Sequence, residues 1–352
     1  MYRSNELLMK KQLLLLLLIA GIVLSCNKTA ATANNIPPLV VPADTAKIFY
    51  KGADVGWLTE MEAAGLKFYN HLNIQQDGMQ LLKELGMNSI RLRVFVNPAD
   101  GWCNTADVLK KALRAKALGM KIMIDFHYSD YWADPGKQTK PSAWMAQDFA
   151  TLKQSVATHT FTVLNTLKTN GIIPTWVQVG NETNNGMLWP YGRASANMNN
   201  FAQLVNAGYD AVKSIDTSIK VIVHISNGYD NSLFRWMFDG LKNNGAKWDI
   251  IGMSLYPDST NWAALNNQCL ANMNDMVARY DKDVMVVEIG MNWADATAGN
   301  LFITDLITKV KAVKRGLGVF YWEPQSFNNW KGYTLGAFDN NGKPTSALNA
   351  FE

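Results

Sequence analysis

Lys121–His127 reads KIMIDFH and Val284–Gly290 reads VMVVEIG. Each is a short run, almost continuous in apolar residues, that carries ionisable groups toward its end. A strand with one solvated face alternates apolar and polar residues, whereas continuous apolar runs of this length belong to strands covered on both faces, as in parallel sheets. Similar runs lie at Phe49–Val55, Ser89–Val96, Thr175–Glu182, Lys220–Ser226, Asp249–Tyr256 and Gly318–Glu323. Stretches with helical spacing separate them. Asp77–Gly86 places Met79, Leu81, Leu82 and Leu85 on one helical face and stops at Gly86, and Asp107–Gly119 repeats the pattern with Val108, Leu109, Ala112, Leu113 and Leu118. Strand and helix in strict alternation predict parallel βαβ units. Eight such strands are the number that closes a (β/α)8 TIM barrel. An open doubly wound sheet shares the alternation, but no glycine-rich nucleotide turn is present to support it. The pattern continues to Phe351 without a second linker, so 48–352 reads as one barrel domain.

Of the 352 residues, 48% are hydrophobic and 18% charged, which suits a large buried core and excludes disorder throughout. A net charge of +4 gives no reason to expect a nucleic-acid partner. From Lys10 the chain reads KKQLLLLLLIAGIVLSC, a basic start and an apolar run too short for a comfortable membrane span. Residues 1–25 therefore read as a signal peptide, with Met9 as a natural start before the two lysines. VLSC resembles a bacterial lipobox, which makes Cys26 the lipidated first residue of an exported protein anchored to a bacterial membrane, periplasmic or at the cell surface. Residues 26–47 then form a flexible tether rich in Ala, Asn, Thr and Pro. Cys103 and Cys269 fit neither a metal spacing nor a disulfide framework and read as free. With no dimerisation element evident, a monomer is expected.

In barrels of this kind, function gathers where the strands end. The ends here read GAD, RLRVFVNP, DFHYSDYWADP, VGNET, HISNG, MSLYP, EIGMNW and YWEPQ. Glu182 closes strand four and Glu288 closes strand seven, so both carboxylates enter one mouth from opposite sides. A lone strand-end glutamate is most simply an ion-pair or capping residue. Two that follow apolar residues need a polar cavity or partners, because a bare buried charge is costly. Glycoside hydrolysis requires such a pair, one protonated to donate to the leaving oxygen and one ionised to attack the anomeric carbon. A separation of roughly 5 Å would make the reaction retaining. An ionised Glu288 would also help hold Glu182 protonated.

Around the pair, Arg91 is taken into the mouth, while Arg93 is read as facing the other way and serving as a structural ion-pair partner. His127, between Asp125 and Asp130, is favoured for the site. His224 inside strand five is left open between core and site, and His71 and His159 are read as surface or packing residues. Asp54 and Asp130 add polar groups at strand ends. Trp57, Tyr131, Trp132, Trp189, Tyr191, Tyr256, Trp293, Trp322, Trp330 and Tyr333 all fall in loops or strand ends. Sugar rings pack their C–H faces on aromatic planes, so these residues are candidates to line a polysaccharide cleft, with Trp322, Trp189 and Trp57 foremost.

The blocks GADVGWLTEMEAAGLKFYN (52–70), IRLRVFVNP (90–98), DFHYSDYWADPGKQTKPSAW (125–144) and VQVGNETNNGMLWPYG (177–192) resemble the signatures of the arabinogalactan endo-β-1,4-galactanases, a family of retaining (β/α)8 hydrolases. The resemblance runs from about Gly52 to Phe351. It implies that Glu182 is the general acid/base and Glu288 the nucleophile, with Arg91, His127, Tyr256 and Trp322 around the reacting sugar. It further implies a galactan substrate cut from within to galacto-oligosaccharides. Asn181 can hydrogen-bond a sugar 2-hydroxyl, and Arg91 can support an ionised Glu288.

The sequence departs from the family after strand seven, where ETGYPW is common and this chain has EIGMNW with Met291 and Asn292. Glu288 is retained, so the departure bears on subsite preference. Some bacterial relatives bind structural calcium near this loop, but Asp295 is almost the only acid here, and calcium usually takes several oxygen ligands. No cofactor or metal is therefore expected to be required, and DNNG from Asp339 reads as a hairpin turn. Competing readings are a related retaining hydrolase on mannan or glucan, a non-catalytic glycan-binding lipoprotein, and a phosphate-handling barrel isomerase. The last would want small backbone donors after strands seven and eight, where this chain is bulky.

Overall fold

The computed structural model describes residues 48–352. The expected signal peptide, Cys26 and the tether lie outside the described residues. Eight parallel strands form a closed barrel: β1 (Tyr50–Asp54), β2 (Ser89–Val94), β3 (Lys121–Phe126), β4 (Trp176–Val179), β5 (Lys220–Ile225), β6 (Ile250–Leu255), β7 (Asp283–Ile289) and β8 (Gly316–Trp322). Each pairs with the next in sequence, and β1 closes the ring on β8 through pairs such as Gly52 with Phe320. This is the (β/α)8 barrel that the alternating pattern predicts.

The interior is filled by Met123, Trp176, Ile222, Ile250, Met285, Val287 and Phe320. Gly52 has no side chain for a reason: a Cβ there would lie 2.1 Å from the Phe320 ring, which occupies that space. Above this apolar floor, two residues further along their strands, stand Asp125, Gln178 and His224, all buried. Strand alternation thus turns each of them toward the mouth. A larger apolar layer packs the outside of the barrel against helices α1 (Leu58–Ala63), α2 (Gly78–Glu84), α3 (Thr105–Ala117), α4 (Phe149–Thr169), α5 (Met198–Ile215), α6 (Asn231–Asn243), α7 (Trp262–Tyr280) and α8 (Ala296–Ala312).

Local chemistry sets several helix starts. Asp77 accepts from the amides of Met79 and Gln80 at 2.9 and 3.0 Å, and Asn104 accepts from that of Asp107 at 3.0 Å. Helix α3 therefore begins before the expected Asp107. That residue is instead buried against Lys111 at 2.7 Å and Thr59 at 2.6 Å. After β8 no long helix follows. The ring is completed by a 3-10 turn at Ser346–Phe351 with Leu348 and Phe351 buried, and the Phe351 carbonyl accepts from Lys51 of β1 at 2.5 Å. The DNNG run closes a turn in which Asp339 accepts from the amides of Asn341 and Lys343. Among the described residues, no helix is long and apolar enough to cross a membrane.

Two strand ends depart from simple alternation. Strand β4 stops at Val179, short of the expected Glu182, and Gly180 at φ 86° and Glu182 at φ 43° turn the chain sharply. A left-handed backbone at a non-glycine residue costs about 1–3 kcal/mol and is found where surrounding contacts enforce it. In β7 the pairing with β6 runs Gly252 to Met285 and Met253 to Val286, then jumps to Ser254 with Glu288. Val287 is the extra residue, and this bulge lets adjacent Val287 and Glu288 both serve the interior, one in the floor and one in the mouth.

Candidate active site

Glu182 and Glu288 share a pocket of about 350 Å³ with His127, Trp132, Asn181, Tyr256, Trp322 and Tyr333. Carboxylate oxygens of the two glutamates and a ring nitrogen of His224 all lie within 4.8 Å of one another. The surroundings of the two acids differ. Glu288 Oε1 pairs with Arg91 Nη1 at 2.7 Å, and its Oε2 accepts from the Tyr256 hydroxyl at 2.9 Å. Among the described residues no cation pairs with Glu182, and its Oε1 accepts from the Ser254 hydroxyl at 2.7 Å.

That asymmetry separates their protonation. Burial, then the neighbouring Glu288 charge, push the Glu182 carboxyl up to about 8. Burial raises Glu288 as well, but the Arg91 charge and the Tyr256 hydroxyl favour its ionised form. When the pair holds a single proton, Glu182 is the place for it.

Arg91 is fully buried and organises the floor of the site, reaching Asp54 Oδ2, Asp125 Oδ2 and Asn181 Oδ1 at 2.9 Å each. Although burial alone would pull its charge away, the carboxylates of Asp125, Glu288 and Asp54 hold it firmly protonated. Arg93 does not face the other way. Residues two apart on a strand share a face, and Arg93 pairs with Asp54 at 3.3 Å and with Glu323 in the same mouth. Its guanidinium carbon lies 4.3, 5.2 and 5.8 Å from the ring centroids of Trp132, Trp57 and Trp322, which cover it as cation–π partners.

His127 lines the pocket; its Nδ1 accepts from the Ala133 amide and its Nε2 faces Asp125 Oδ2, both at 3.0 Å. Asn181 donates to the Ala133 carbonyl at 2.9 Å. Trp57 packs edge-on against Trp132, Trp322 and Tyr333, with centroids 5.0–5.7 Å apart. It lines an adjoining hollow of about 520 Å³ with Trp102, Tyr131, Trp132 and Asp130. Asp130 also braces that rim by accepting from Asn97 and Ser142. Asp54 lies beneath the pocket, not in its lining. Trp189 and Trp293 are not brought to it either: Trp189 donates to the Asn185 carbonyl at 2.9 Å and stacks on Arg193, and Trp293 sits in a 3-10 turn bonded to Thr334.

Tyr333, one of the candidate cleft aromatics, does line the pocket, whereas the sequence leaves His224 open and gives no reading of Gln178, Ser254 or Glu323. His224 is buried and part of the site, with Nε2 2.7 Å from Ser254 Oγ and Nδ1 2.9 Å from Gln178 Nε2. Burial, then the Arg91 charge, push its pKa well below the usual histidine value, so the ring is neutral. The signal was available: a polar residue two positions after an apolar floor residue on each of several strands. Glu182, His224 and Glu288 are the cluster of acid and imidazole atoms close enough for a metal among the described residues. Glu182 Oε1, His224 Nδ1 and both Glu288 oxygens are already engaged by Ser254, Gln178, Arg91 and Tyr256, and the guanidinium would repel a cation.

A closed parallel barrel with two inequivalent carboxylates at the ends of its fourth and seventh strands defines a glycoside hydrolase of the (β/α)8 class. The model of glycosyl hydrolase family 53 matches residues 50–351, and the chain belongs to that family. A probable arabinogalactan endo-β-1,4-galactanase A of Neosartorya fischeri is 35% identical over 81% of this chain and 86% of its own. An arabinogalactan endo-β-1,4-galactanase of Thermothelomyces thermophilus is 32% identical over 86% and 98%. Among solved structures, a fungal β-1,4-galactanase superposes with a TM-score of 0.79 at 33% identity, covering 86% of this chain and 98% of that one.

Proposed function

We propose that the protein, like relatives named arabinogalactan endo-β-1,4-galactanases, hydrolyses β-1,4-galactosidic bonds within galactan and type I arabinogalactan, and that it does so by retaining double displacement, releasing galacto-oligosaccharides. The observation that carries the mechanism is the carboxylate pair within 4.8 Å, one acid clamped by Arg91 and Tyr256 and the other without an ion pair among the described residues. This spacing suits the roughly 5 Å of retaining enzymes and leaves no room for the water that an inverting enzyme places between its acids.

In the first half-reaction, Glu288 attacks the anomeric carbon while the Glu182 proton passes to the departing glycosidic oxygen. In the second, Glu182 takes a proton from water as the water oxygen replaces Glu288. Arg91 and Tyr256 keep the nucleophile ionised between turnovers. Asn181, held by Arg91 and the Ala133 carbonyl, is placed to meet the 2-hydroxyl, and Trp132, Trp322 and Trp57 supply apolar faces for sugar rings.

The reading extends to location: a lipid on Cys26 would hold the barrel at a bacterial membrane, with pectic galactan outside the cell as substrate. Product analysis on pectic galactan, galactomannan and cellulose tests the substrate. Short galactose oligomers from galactan alone are expected, and turnover confined to the other two would overturn it. Metabolic labelling with a clickable fatty acid should mark the protein and lose the mark in Cys26→Ala; an unlabelled parent would mean simple secretion.

A further inference from the structure

Beneath Glu182 a chain of hydrogen bonds can be followed proton by proton. Gln178 Nε2 lies 2.6 Å from Asp125 Oδ1, and Asp125 is held ionised by the Arg91 and His127 beside it against its burial. An amide nitrogen at that position must donate, which fixes how the Gln178 side chain is turned; its Oε1 accordingly faces Arg91 at 3.3 Å. Of the other acceptors near Nε2, His224 Nδ1 at 2.9 Å is closer than Asn181 Oδ1 at 3.2 Å and the Gly180 carbonyl at 3.3 Å, so the second proton is assigned to it, and the Glu182 backbone N–H reaches the same nitrogen at 3.3 Å. Asn181 Oδ1 also lies 3.1 Å from Nδ1, but it already accepts from Arg91 Nη2 at 2.9 Å; with the Gln178 and Glu182 N–H groups both directed at Nδ1, the ring proton of a neutral histidine is assigned to Nε2, from which it is given to Ser254 Oγ at 2.7 Å. The Ser254 hydroxyl proton is then directed to Glu182 Oε1, also at 2.7 Å.

We propose that Ser254, oriented by His224, is a positioning residue that confines the transferable proton of Glu182 to Oε2. The proposal rests on the reading of Glu182 as general acid/base. Oε1 always accepts and never carries the proton. In glycosylation the Oε2–H bond breaks, its proton goes to the glycosidic oxygen, and the C1–O bond opens as the C1–Glu288 bond forms. In deglycosylation Oε2 removes a proton from water while the water oxygen bonds to C1 and Glu288 leaves. Throughout, Ser254 donates to Oε1 without turning, so the site need not reorganise as charge appears on Glu182. The charged and titratable groups facing this chain are Glu288, Arg91 and Asp134 around Glu182, and Arg91, Asp125 and His127 around His224.

The test is the pH profile of kcat/KM on galactan for the full-length enzyme, with Ser254→Ala, Ser254→Thr and Glu182→Gln. Loss of a donor to an ionised carboxylate is worth about 1.5–3 kcal/mol, or about 1–2 pKa units. Removing the Ser254 hydroxyl disfavours ionised Glu182, so the alkaline limb of Ser254→Ala moves up by about 1–2 pH units while the acid limb stays. Ser254→Thr, which restores a hydroxyl, returns the limb toward the parent's. A merely structural role would lower activity at every pH and leave the limb in place, and that result overturns the proposal. Should the alanine variant fail to fold, nitrogen NMR of His224 in the unaltered protein decides: a protonated Nε2 with a bare Nδ1 is expected, and the opposite tautomer or an imidazolium overturns it. Parent-like turnover by Glu182→Gln would instead remove the acid/base reading itself, whereas an inactive Glu182→Gln beside an unmoved Ser254→Ala limb removes only the relay.

Discussion

Replacing Tyr256 by phenylalanine deletes a single oxygen and isolates one half of the clamp on Glu288. In the parent, Oε1 is held by Arg91 at 2.7 Å and Oε2 by the Tyr256 hydroxyl at 2.9 Å. A hydrogen bond to a charged acceptor contributes about 1.5–3 kcal/mol, which at 1.36 kcal/mol per pKa unit is about 1–2 units. The donor stabilises the ionised form, so its loss raises the Glu288 pKa. Because Glu288 acts when ionised, the acid limb of kcat/KM moves up by about 1–2 pH units. On the plateau above it, Arg91 still holds the carboxylate and turnover falls by no more than about tenfold, since a nucleophile that loses a donor gains basicity. Rates of reducing-end release from galactan, measured across both limbs after a thermal melt confirms folding, provide the assay. An acid limb that stays put while activity collapses would show that Tyr256 positions substrate and does not stabilise the nucleophile.

Three further outcomes follow from the same geometry. With Glu182 raised to about 8 by burial and Glu288, kcat/KM of the parent should fall as pH rises past that value, and a profile flat to well above it would mean another group donates the proton. Arg91→Lys substitutes a point charge for a fork that spans Asp54, Asp125, Asn181 and Glu288, leaving buried carboxylates unpaired; a stability loss of about 3–5 kcal/mol in denaturant unfolding is expected, and a parent-like midpoint would contradict it. Gly186 has φ 81° and a Cβ there would lie 1.8 Å from the Gly192 carbonyl oxygen, so Gly186→Ala should cost about 1–3 kcal/mol, read as a lower melting temperature with an unchanged barrel signal in circular dichroism.

The barrel was legible because its strands are buried on both faces. KIMIDFH and VMVVEIG cannot be solvated on either side, and eight such runs leave few alternatives to closure. Helix α2 was legible down to its cap and stop, since Asp77 and Gly86 are local signals. The mouth was harder to read. Arg93 shares the mouth with Arg91, as the two-residue strand period requires and an opposite orientation of the two arginines does not. Glu288 was found at its strand end, yet simple alternation from Val287 in the floor would have turned it outward; the bulge that corrects this depends on pairing with β6, which no local pattern in β7 shows. Trp189 and Trp293 have the composition of sugar platforms but are not among the residues lining the pocket, the Trp189 indole being bonded to the Asn185 carbonyl and stacked on Arg193. The chain from Asp125 through Gln178, His224 and Ser254 to Glu182 joins four strands and the turn after one of them, and becomes visible only when the barrel brings those inward positions together.

The role of Glu288 as nucleophile in a double displacement can be tested without altering the protein. Incubation with a 2-deoxy-2-fluoro galactoside bearing a good leaving group should slow the second step and leave one glycosyl unit on the enzyme. Intact mass should rise by that unit, and peptide sequencing should find it on Glu288 within VMVVEIG. A label on any other residue, or no label together with products of inverted anomeric configuration, would contradict it.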